Sequence, residues 1–363
     1  MRERKISRII GISLSTALLA GIMAGCGTSK SSGSTETTAK GGAGELNLFV
    51  WTEYVPDSVI SEFEKETGIK VNVSTYSDNE DMLAKVKSET EGTYDVVLPS
   101  DYMVESMIEQ GMLEKLDQSK LTNLSNIGTA YLDPSYDPKN VYSVPYQGGV
   151  VAIAVNTSKV KRDIESYGDL FDPDLKGSMV VLDDYRAIIG VTARSLGYSM
   201  NETDTTKIKE ISDKLMTLKD NVKLYDSDSP KSALISGDCT VGCIWSAEIA
   251  LAMAENPDIK IVFPKEGPYV FMDNWCITKG AKNYDNAMNF INYMLDPKTA
   301  EAVSAEFPYL QPNETAVKAM GTDYSDNPAK NPPADVISSG EYVKELDNDT
   351  LTLYNDMWNK LKQ

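Results

Sequence analysis

Carboxylates and aromatic side chains occur together at five places in the chain. These groups are Trp51-Thr52-Glu53-Tyr54, Ser100-Asp101-Tyr102, Asp183-Asp184, Trp245 with Glu248, and Phe271-Met272-Asp273. Each group follows a short apolar run typical of a β-strand. Because ligands of open α/β sheets bind beyond the carboxyl ends of the strands, we expect the five groups to face one pocket.

An acidic and aromatic lining suits an elongated polycation with an aliphatic spine. An ammonium group is costly to desolvate unless a carboxylate and hydrogen-bond acceptors meet it. Methylene groups pack on aromatic faces, which also attract cations. The residues therefore favour a diamine or a related polyamine, although the same aromatic side chains could stack on a sugar ring.

Two further alternatives stay open on the residues alone. An amino acid ligand needs an arginine or a helix terminus for its carboxylate, and only Arg186 and Arg194 are arginines near the predicted site. An extracytoplasmic glycosidase would use two of Asp184, Glu248 and Asp273 as acid and base. The leading interpretation is a binding protein that carries out no catalysis.

The composition excludes several classes of function. The chain has 35 basic and 54 acidic residues, a net charge of −19, which argues against nucleic acid as a partner. Histidine is absent, so the usual Ser-His-Asp and Cys-His catalytic arrangements are excluded, as is the commonest neutral metal ligand. We expect no metal and no cofactor.

The start of the chain predicts export and a lipid anchor. Basic residues come first, an apolar run spans 9–23, and two small residues precede Cys26. This pattern indicates a signal peptide over 1–25 and acylation of Cys26, and it resembles the bacterial lipobox except that Met23 stands where Leu is commonest. Residues 26–44 are mostly small and polar and predict a flexible tether. We expect an extracytoplasmic protein that only its lipid attaches to the membrane.

Three cysteines follow the tether. Cys239 and Cys243 lie in one predicted strand, where four residues span roughly 13 Å, too far for a disulfide. We expect both, together with Cys276, to be small hydrophobic core residues. A Cys243–Cys276 disulfide is the alternative.

Strands and helices alternate from Leu46 onward, which predicts an α/β fold with two lobes, each a mixed sheet flanked by helices. A helix capped by Asp57 or Ser58 should end at Gly68. The predicted strands span 46–50, 69–73, 94–98, 178–182, 223–225, 240–244, and 269–278 with a break at Asp273, and a second α/β set begins near 146–155. The other predicted helices span 78–90, 104–111, 185–196, 202–218, 284–295, 297–306, and a last segment ending at Lys362.

Several runs resemble the periplasmic spermidine/putrescine-binding proteins of ABC transporters. They are WTEYVP at 51–56, FEKETGIKVNV at 63–73, YDVVLPSDY at 94–102, KLTN at 120–123 and PKEG at 264–267. The resemblance implies a monomeric, two-lobed periplasmic-binding-protein fold of type II that closes by a hinge around a polyamine and delivers it to a membrane permease. The expected lobes are 45–149 with 272–317, and 150–271 with 318–363.

The resemblance also implies the residues that bind the ligand. It assigns Asp184 to an ammonium group, Trp245 to stacking and Asp273 to the central carboxylate. Asp101 and Asp183 do not match contact positions, and we expect both to be structural. The other implied pocket residues are Trp51, Thr52, Glu53, Tyr54, Ser100, Tyr102 and Tyr309.

Four positions bear on which polyamine is bound. Ala187, Val343 and Phe271 replace a Glu, a Gln and a second Trp of the spermidine binders, whereas Glu248 and Phe271 follow the putrescine binders. The residues at 51–54 keep the spermidine-type pattern. We expect putrescine to be preferred over spermidine, because the lost acid and amide would leave one end of spermidine without partners.

Overall fold

The computed structural model describes residues 44–363, which fold into ten strands and thirteen helices. The predicted signal peptide, Cys26 and nearly all of the predicted tether lie outside the described residues. Within the described range, no helix is both long enough and apolar enough to cross a membrane.

All ten strands belong to one sheet. Its main path runs β2-β1-β3-β9-β4-β7-β5-β6, with β8 paired to β4 and β10 paired to β9. The strands are β1 (Gly44–Trp51), β2 (Ile69–Tyr76), β3 (Val96–Val97), β4 (Ser143–Asn156), β5 (Met179–Val181), β6 (Val222–Tyr225), β7 (Val241–Trp245), β8 (Ile259–Val262), β9 (Tyr269–Ile277) and β10 (Glu341–Tyr342).

Helices connect and cover the strands, as expected when parallel strands are joined by crossovers. They are α1 (Asp57–Thr67), α2 (Asn79–Ser88), α3 (Asp101–Glu109), α4 (Tyr185–Ser195), α5 (Thr205–Leu218), α6 (Lys231–Ile235), α7 (Ser246–Glu255), α8 (Tyr284–Met294), α9 (Pro297–Glu306), α10 (Glu314–Met320), α11 (Thr322–Ser325), α12 (Ala334–Ser339) and α13 (Asn348–Lys362).

The first helix shows how the local sequence positions an element. Val59, Ile60 and Phe63 lie on one face of α1 and are buried. Gly68 ends the helix at φ +71°, a left-handed conformation that glycine adopts without steric cost. The predicted cap was wrong, because Pro56 occupies the N-cap position and no side chain caps the helix.

Two long strands, β4 and β9, form the centre of the sheet. All of their residues are buried, and they pair antiparallel from Ser143 with Cys276 to Val151 with Tyr269. The predicted break in β9 at Asp273 is wrong. The irregularity lies in β4 instead, between Pro145 and Gln147, where proline lacks the N–H that a regular ladder needs.

Other predicted elements differ in their bounds. Strand β3 contains only two residues, because only Val96 and Val97 pair with both β1 and β9. Val73 is 47 % exposed, so the expected half-buried alternation ends before it. Helix α3 begins at Asp101, three residues earlier than expected. The strands β4, β8 and β10 and the helices α6 and α7 were not predicted.

The three cysteines of the described chain are buried and free. Cys239 and Cys243 are each 1 % exposed, and Cys276 is fully buried. Burial raises the pKa of the Cys243 thiol to about 12, so this thiol is protonated at neutral pH. The prediction that they are core hydrophobes is confirmed, and the alternative Cys243–Cys276 disulfide is not formed.

Candidate functional site

A buried carboxylate on the central strand β9 is the focus of the site. Asp273 is 3 % exposed, and its two oxygens accept hydrogen bonds from the Tyr54 hydroxyl at 2.7 Å and the Ser100 hydroxyl at 2.6 Å. Burial raises the pKa of Asp273 to about 7, although both hydrogen bonds lower it. No basic side chain forms an ion pair with it within the described chain. The carboxylate is therefore desolvated and not neutralised.

The Ser100 hydroxyl is itself held in place by a buried amide. Asn79, the first residue of α2, donates its side-chain N–H to Ser100 Oγ at 3.0 Å, and its carbonyl oxygen accepts from the Ser100 backbone N–H at 3.3 Å. Because Ser100 Oγ accepts from Asn79, its proton is directed toward Asp273. The two donors on the carboxylate are thus fixed before any ligand arrives.

Aromatic rings surround this carboxylate. The Tyr54 ring meets the Tyr309 ring edge-on at a centroid distance of 4.8 Å. The Phe271 ring lies 6.2 Å from Tyr309 and 5.1 Å from Trp245. These contacts form an apolar wall against which methylene groups can pack and which attracts cations at its faces.

Trp51 and Trp245 are oriented by hydrogen bonds to backbone carbonyls. Trp51 donates its indole N–H to the Leu98 carbonyl at 2.9 Å, and Trp245 donates to the Ser227 carbonyl at 3.2 Å. The two tryptophans end β1 and β7, at opposite halves of the sheet path. Fixed rings lose little conformational entropy when a ligand packs on them.

A second acidic group lies at the N-terminus of α4. The Asp184 carboxylate accepts from the Ala187 backbone N–H at 2.9 Å and so caps the helix. Burial and the negative charge of Asp78 raise its pKa to about 6. Asp78 caps α2 in the same way, and burial together with Glu80 raises its pKa to about 7. A cation at this end of the site would offset mutual repulsion among these acids.

A cavity joins Asp273, the aromatic rings and Asp184, and its empty space, part of which is open to solvent, is about 550 Å³. Nine of the twelve predicted ligand-binding residues line it: Trp51, Thr52, Tyr54, Ser100, Asp184, Trp245, Phe271, Asp273 and Tyr309. The structure thus brings together residues from all five groups that were identified by their positions after strands, and adds Tyr309.

Glu53, Tyr102 and Glu248 do not line this cavity. The Tyr102 hydroxyl donates to Glu80 at 3.0 Å, and its ring lies under the Arg186 guanidinium, 5.3 Å away. Glu53 and Glu248 both accept from the Lys231 ammonium, at 3.2 Å and 3.0 Å. Each of these three side chains is already bound to another part of the protein.

Five lining residues were missed by the sequence analysis: Ser77, Asn79, Ser227, Asp228 and Tyr269. Four of them follow the ends of β2 and β6. The same rule of inspecting the carboxyl end of each strand would have found them, had it been applied to all strands. The Ser227 hydroxyl is buried and has no hydrogen-bond partner among residues 44–363, so it is available to a ligand.

The two acids that were expected to be structural lie outside this cavity. Asp101 is 2 % exposed, and its oxygens accept from the backbone N–H groups of Tyr102 and Met272, so it ties α3 to β9. Asp183 is exposed and forms an ion pair with Lys362 at 2.6 Å.

Comparison with known proteins places this fold and site in a class. The sheet flanked by helices, with a cavity at the strand ends, is the two-lobed fold of periplasmic binding proteins: a solved chain from Listeria monocytogenes, titled a spermidine/putrescine ABC transporter, superposes with a TM-score of 0.85. It is 35 % identical, and the match covers 88 % of this chain and 99 % of that one.

Residues 58–333 match the family model described as bacterial extracellular solute-binding protein, and the chain belongs to this family. A spermidine/putrescine-binding periplasmic protein from Salmonella typhimurium is 38 % identical over 87 % of this chain and 91 % of its own length. A putrescine/cadaverine-binding protein from Pseudomonas aeruginosa is 30 % identical over 91 % of this chain and 96 % of its own length. Proteins of this class work outside the cytoplasm.

The raised pKa of Asp273 predicts a pH-dependent effect on stability. Because this pKa rises from 3.8 to about 7 on folding, the folded chain binds the proton more tightly, and its stability falls as the pH rises between these values. Asp273→Asn removes this titration. We expect the ligand-free variant to gain about 2 to 3 kcal/mol relative to wild type between pH 5 and pH 8.

Urea unfolding at both pH values measures this gain. Asp183→Asn is the control, because that carboxylate is exposed on the surface, and it should follow the wild-type pH dependence. Equal pH dependence in wild type and Asp273→Asn would contradict the prediction.

Proposed function

We propose that this protein captures a polyamine in the cavity around Asp273 and delivers it to the permease of an ABC transporter, without catalysing a reaction. The observation that carries the proposal is the buried Asp273 carboxylate, which has two hydroxyl donors but no cationic partner among the residues that the structure describes. A ligand ammonium would supply the missing positive charge.

The rest of the cavity supports an elongated cation. The ring wall of Trp245, Phe271 and Tyr309 suits methylene groups, and Asp184 provides a second carboxylate for a second ammonium. The names of the relatives support the same ligand class, since they are described as spermidine/putrescine-binding and putrescine/cadaverine-binding proteins.

The proposed lobes are 45–149 with 272–317, and 150–271 with 318–363. Two of the three boundaries fall within the paired strands β4 and β9, which run through the middle of the sheet path between β3 and β7, and the third falls within α10. Bending of these two strands would close the lobes around the ligand. Asp273 lies next to this boundary, so closure would bring both lobes against it.

Among polyamines we propose putrescine as the preferred ligand. Ala187 is fully buried and Val343 is 3 % exposed, so neither offers a polar group to the aminopropyl arm of spermidine. An amine left without an acceptor costs roughly 1 to 3 kcal/mol. The Asp184 carboxylate, which lines the cavity, could offset this loss.

Binding of a polyamine is tested with thermal shifts over a panel of putrescine, cadaverine, spermidine, glucose and several amino acids. A ligand that binds only the folded state raises the midpoint of unfolding. We expect a response to polyamines, with putrescine bound more tightly than spermidine. A response to a sugar or an amino acid with none to any polyamine would refute the proposal, and turnover of a glycoside would favour the enzyme alternative.

The same panel tests the role of Asp273 with matched variants. Asp273→Asn should weaken polyamine binding more than tenfold, about 1.4 kcal/mol or more, because the ammonium loses its counter-charge. Asp183→Asn should bind as wild type does. Calorimetric titration measures both, and an Asp273→Asn affinity within threefold of wild type would show that this carboxylate does not hold the ligand.

We further propose that Cys26 is the acylated N-terminal residue of the mature protein. The sequence signal of residues 1–25 supports this, and the membrane contact would be through lipid alone. Mass spectrometry of protein extracted from membranes should detect a lipid-modified chain that begins at Cys26. A mature chain that begins elsewhere and carries no lipid would contradict it.

A further inference from the structure

An ammonium group of the chain itself lies between two carboxylates at one edge of the site. Lys231, the first residue of α6, places its Nζ atom 3.2 Å from Glu53 Oε2, 3.0 Å from Glu248 Oε2 and 3.0 Å from Ser229 Oγ. The Lys231 side chain is 20 % exposed and that of Glu248 is 4 % exposed. The carboxylate partners come from distant parts of the chain, after β1 and within α7.

These charges lie close to the cavity. The pKa of Tyr309, which lines the cavity, is raised first by burial and then by the negative charges of Glu248, Asp273 and Glu53. The Lys231 ion cluster also adjoins the cavity along the chain itself, because Glu53 lies between the lining residues Thr52 and Tyr54, and Ser229 follows the lining residue Asp228.

The Lys231 ammonium makes the same hydrogen bonds and ion pairs that a ligand ammonium group would make in its place. A lysine side chain ends in a primary ammonium on a chain of methylene groups, with three N–H donors, as does each end of a diamine. Here the three donors are met by two carboxylates and one hydroxyl. Both carboxylates are among the residues that the family resemblance assigns to the ligand, so the chain supplies internally a cation that a ligand could otherwise supply.

We propose that Lys231 is a specificity-determining residue whose ammonium fills the amine subsite formed by Glu53 and Glu248. Three acids line the cavity, and of these Asp228 is exposed to solvent, so Asp273 and Asp184 are the two shielded carboxylates that remain for the ammonium groups of a short diamine. The third ammonium group of a triamine would have to compete with the Lys231 ammonium for Glu53 and Glu248. This inference rests on the proposed polyamine function and supplies a physical cause for a preference for putrescine.

The experiment measures the ratio of spermidine affinity to putrescine affinity in the Lys231→Gln and Lys231→Met variants and compares it with the ratio in wild type. Either change frees Glu53 and Glu248 for a third ligand ammonium, so we expect the ratio to shift at least tenfold toward spermidine. Lys223→Gln is the matched control, because Lys223 forms an exposed ion pair with Asp238, and its ratio should equal that of wild type. A ratio within threefold of wild type in both Lys231 variants would overturn the inference.

A second variant tests the same point while Lys231 remains in place. If Lys231 rather than the ligand holds Glu248, then Glu248→Gln should change putrescine affinity less than threefold. A loss of more than tenfold would show that Glu248 binds the ligand directly, which would also overturn the inference.

Failure of the inference can be separated from failure of the proposed function. If wild type binds polyamines and the Lys231 variants keep its ratio, only the assignment of Lys231 is wrong. If wild type binds no polyamine at all, the proposed function itself fails, and the Lys231 assignment fails with it.

Discussion

The structure around the site depends on the burial of one carboxylate, that of Asp273, which has no cationic partner between residues 44 and 363. Removing a carboxylate from water is costly, and two hydroxyl donors only partly offset the cost, so its pKa rises to about 7. The surrounding elements make this arrangement possible. Strand β9 holds the carboxylate at the centre of the sheet, Ser100 at the start of α3 and Tyr54 after β1 direct their protons toward it, and the ring wall excludes water. An organic cation removes the cost when it binds, which links the instability of the empty site to affinity for the ligand.

On this account, selectivity among polyamines depends on which carboxylates near the cavity are already paired with a cation of the protein. The Lys231 ammonium is shared by Glu53 and Glu248, whereas Asp273 and Asp184 line the cavity without an ion-pair partner among residues 44–363. A buried acid that is paired internally contributes little to ligand binding, because the ligand would have to replace an existing ion pair. The number of carboxylates near a site therefore overstates the number of ammonium groups that it accepts. Their pairing within the protein sets that number.

Most of the fold and much of the site could be predicted from the sequence, because both depend on local patterns. The alternation of apolar runs and the stop at Gly68 indicate the elements, and the positions after strands indicate the pocket. The parts that failed depend on long-range contacts. The partners of Lys231 and the register shift at Pro145 follow from pairings between segments far apart in the chain, which no local pattern encodes. The lipid anchor at Cys26 and the lobe boundaries stay predictions.

The central claim is that Asp273 titrates near neutral pH in the empty site and is fully ionised when the ligand is bound. Carboxyl-detected nuclear magnetic resonance of protein labelled in its aspartate side chains measures this directly, with Asp273→Asn identifying the signal. The account predicts a pKa of about 7 without ligand and a value below about 4 with putrescine bound, because an ammonium at hydrogen-bond distance favours the carboxylate. A pKa near 4 in the empty protein, or one that putrescine leaves unchanged, would contradict the account.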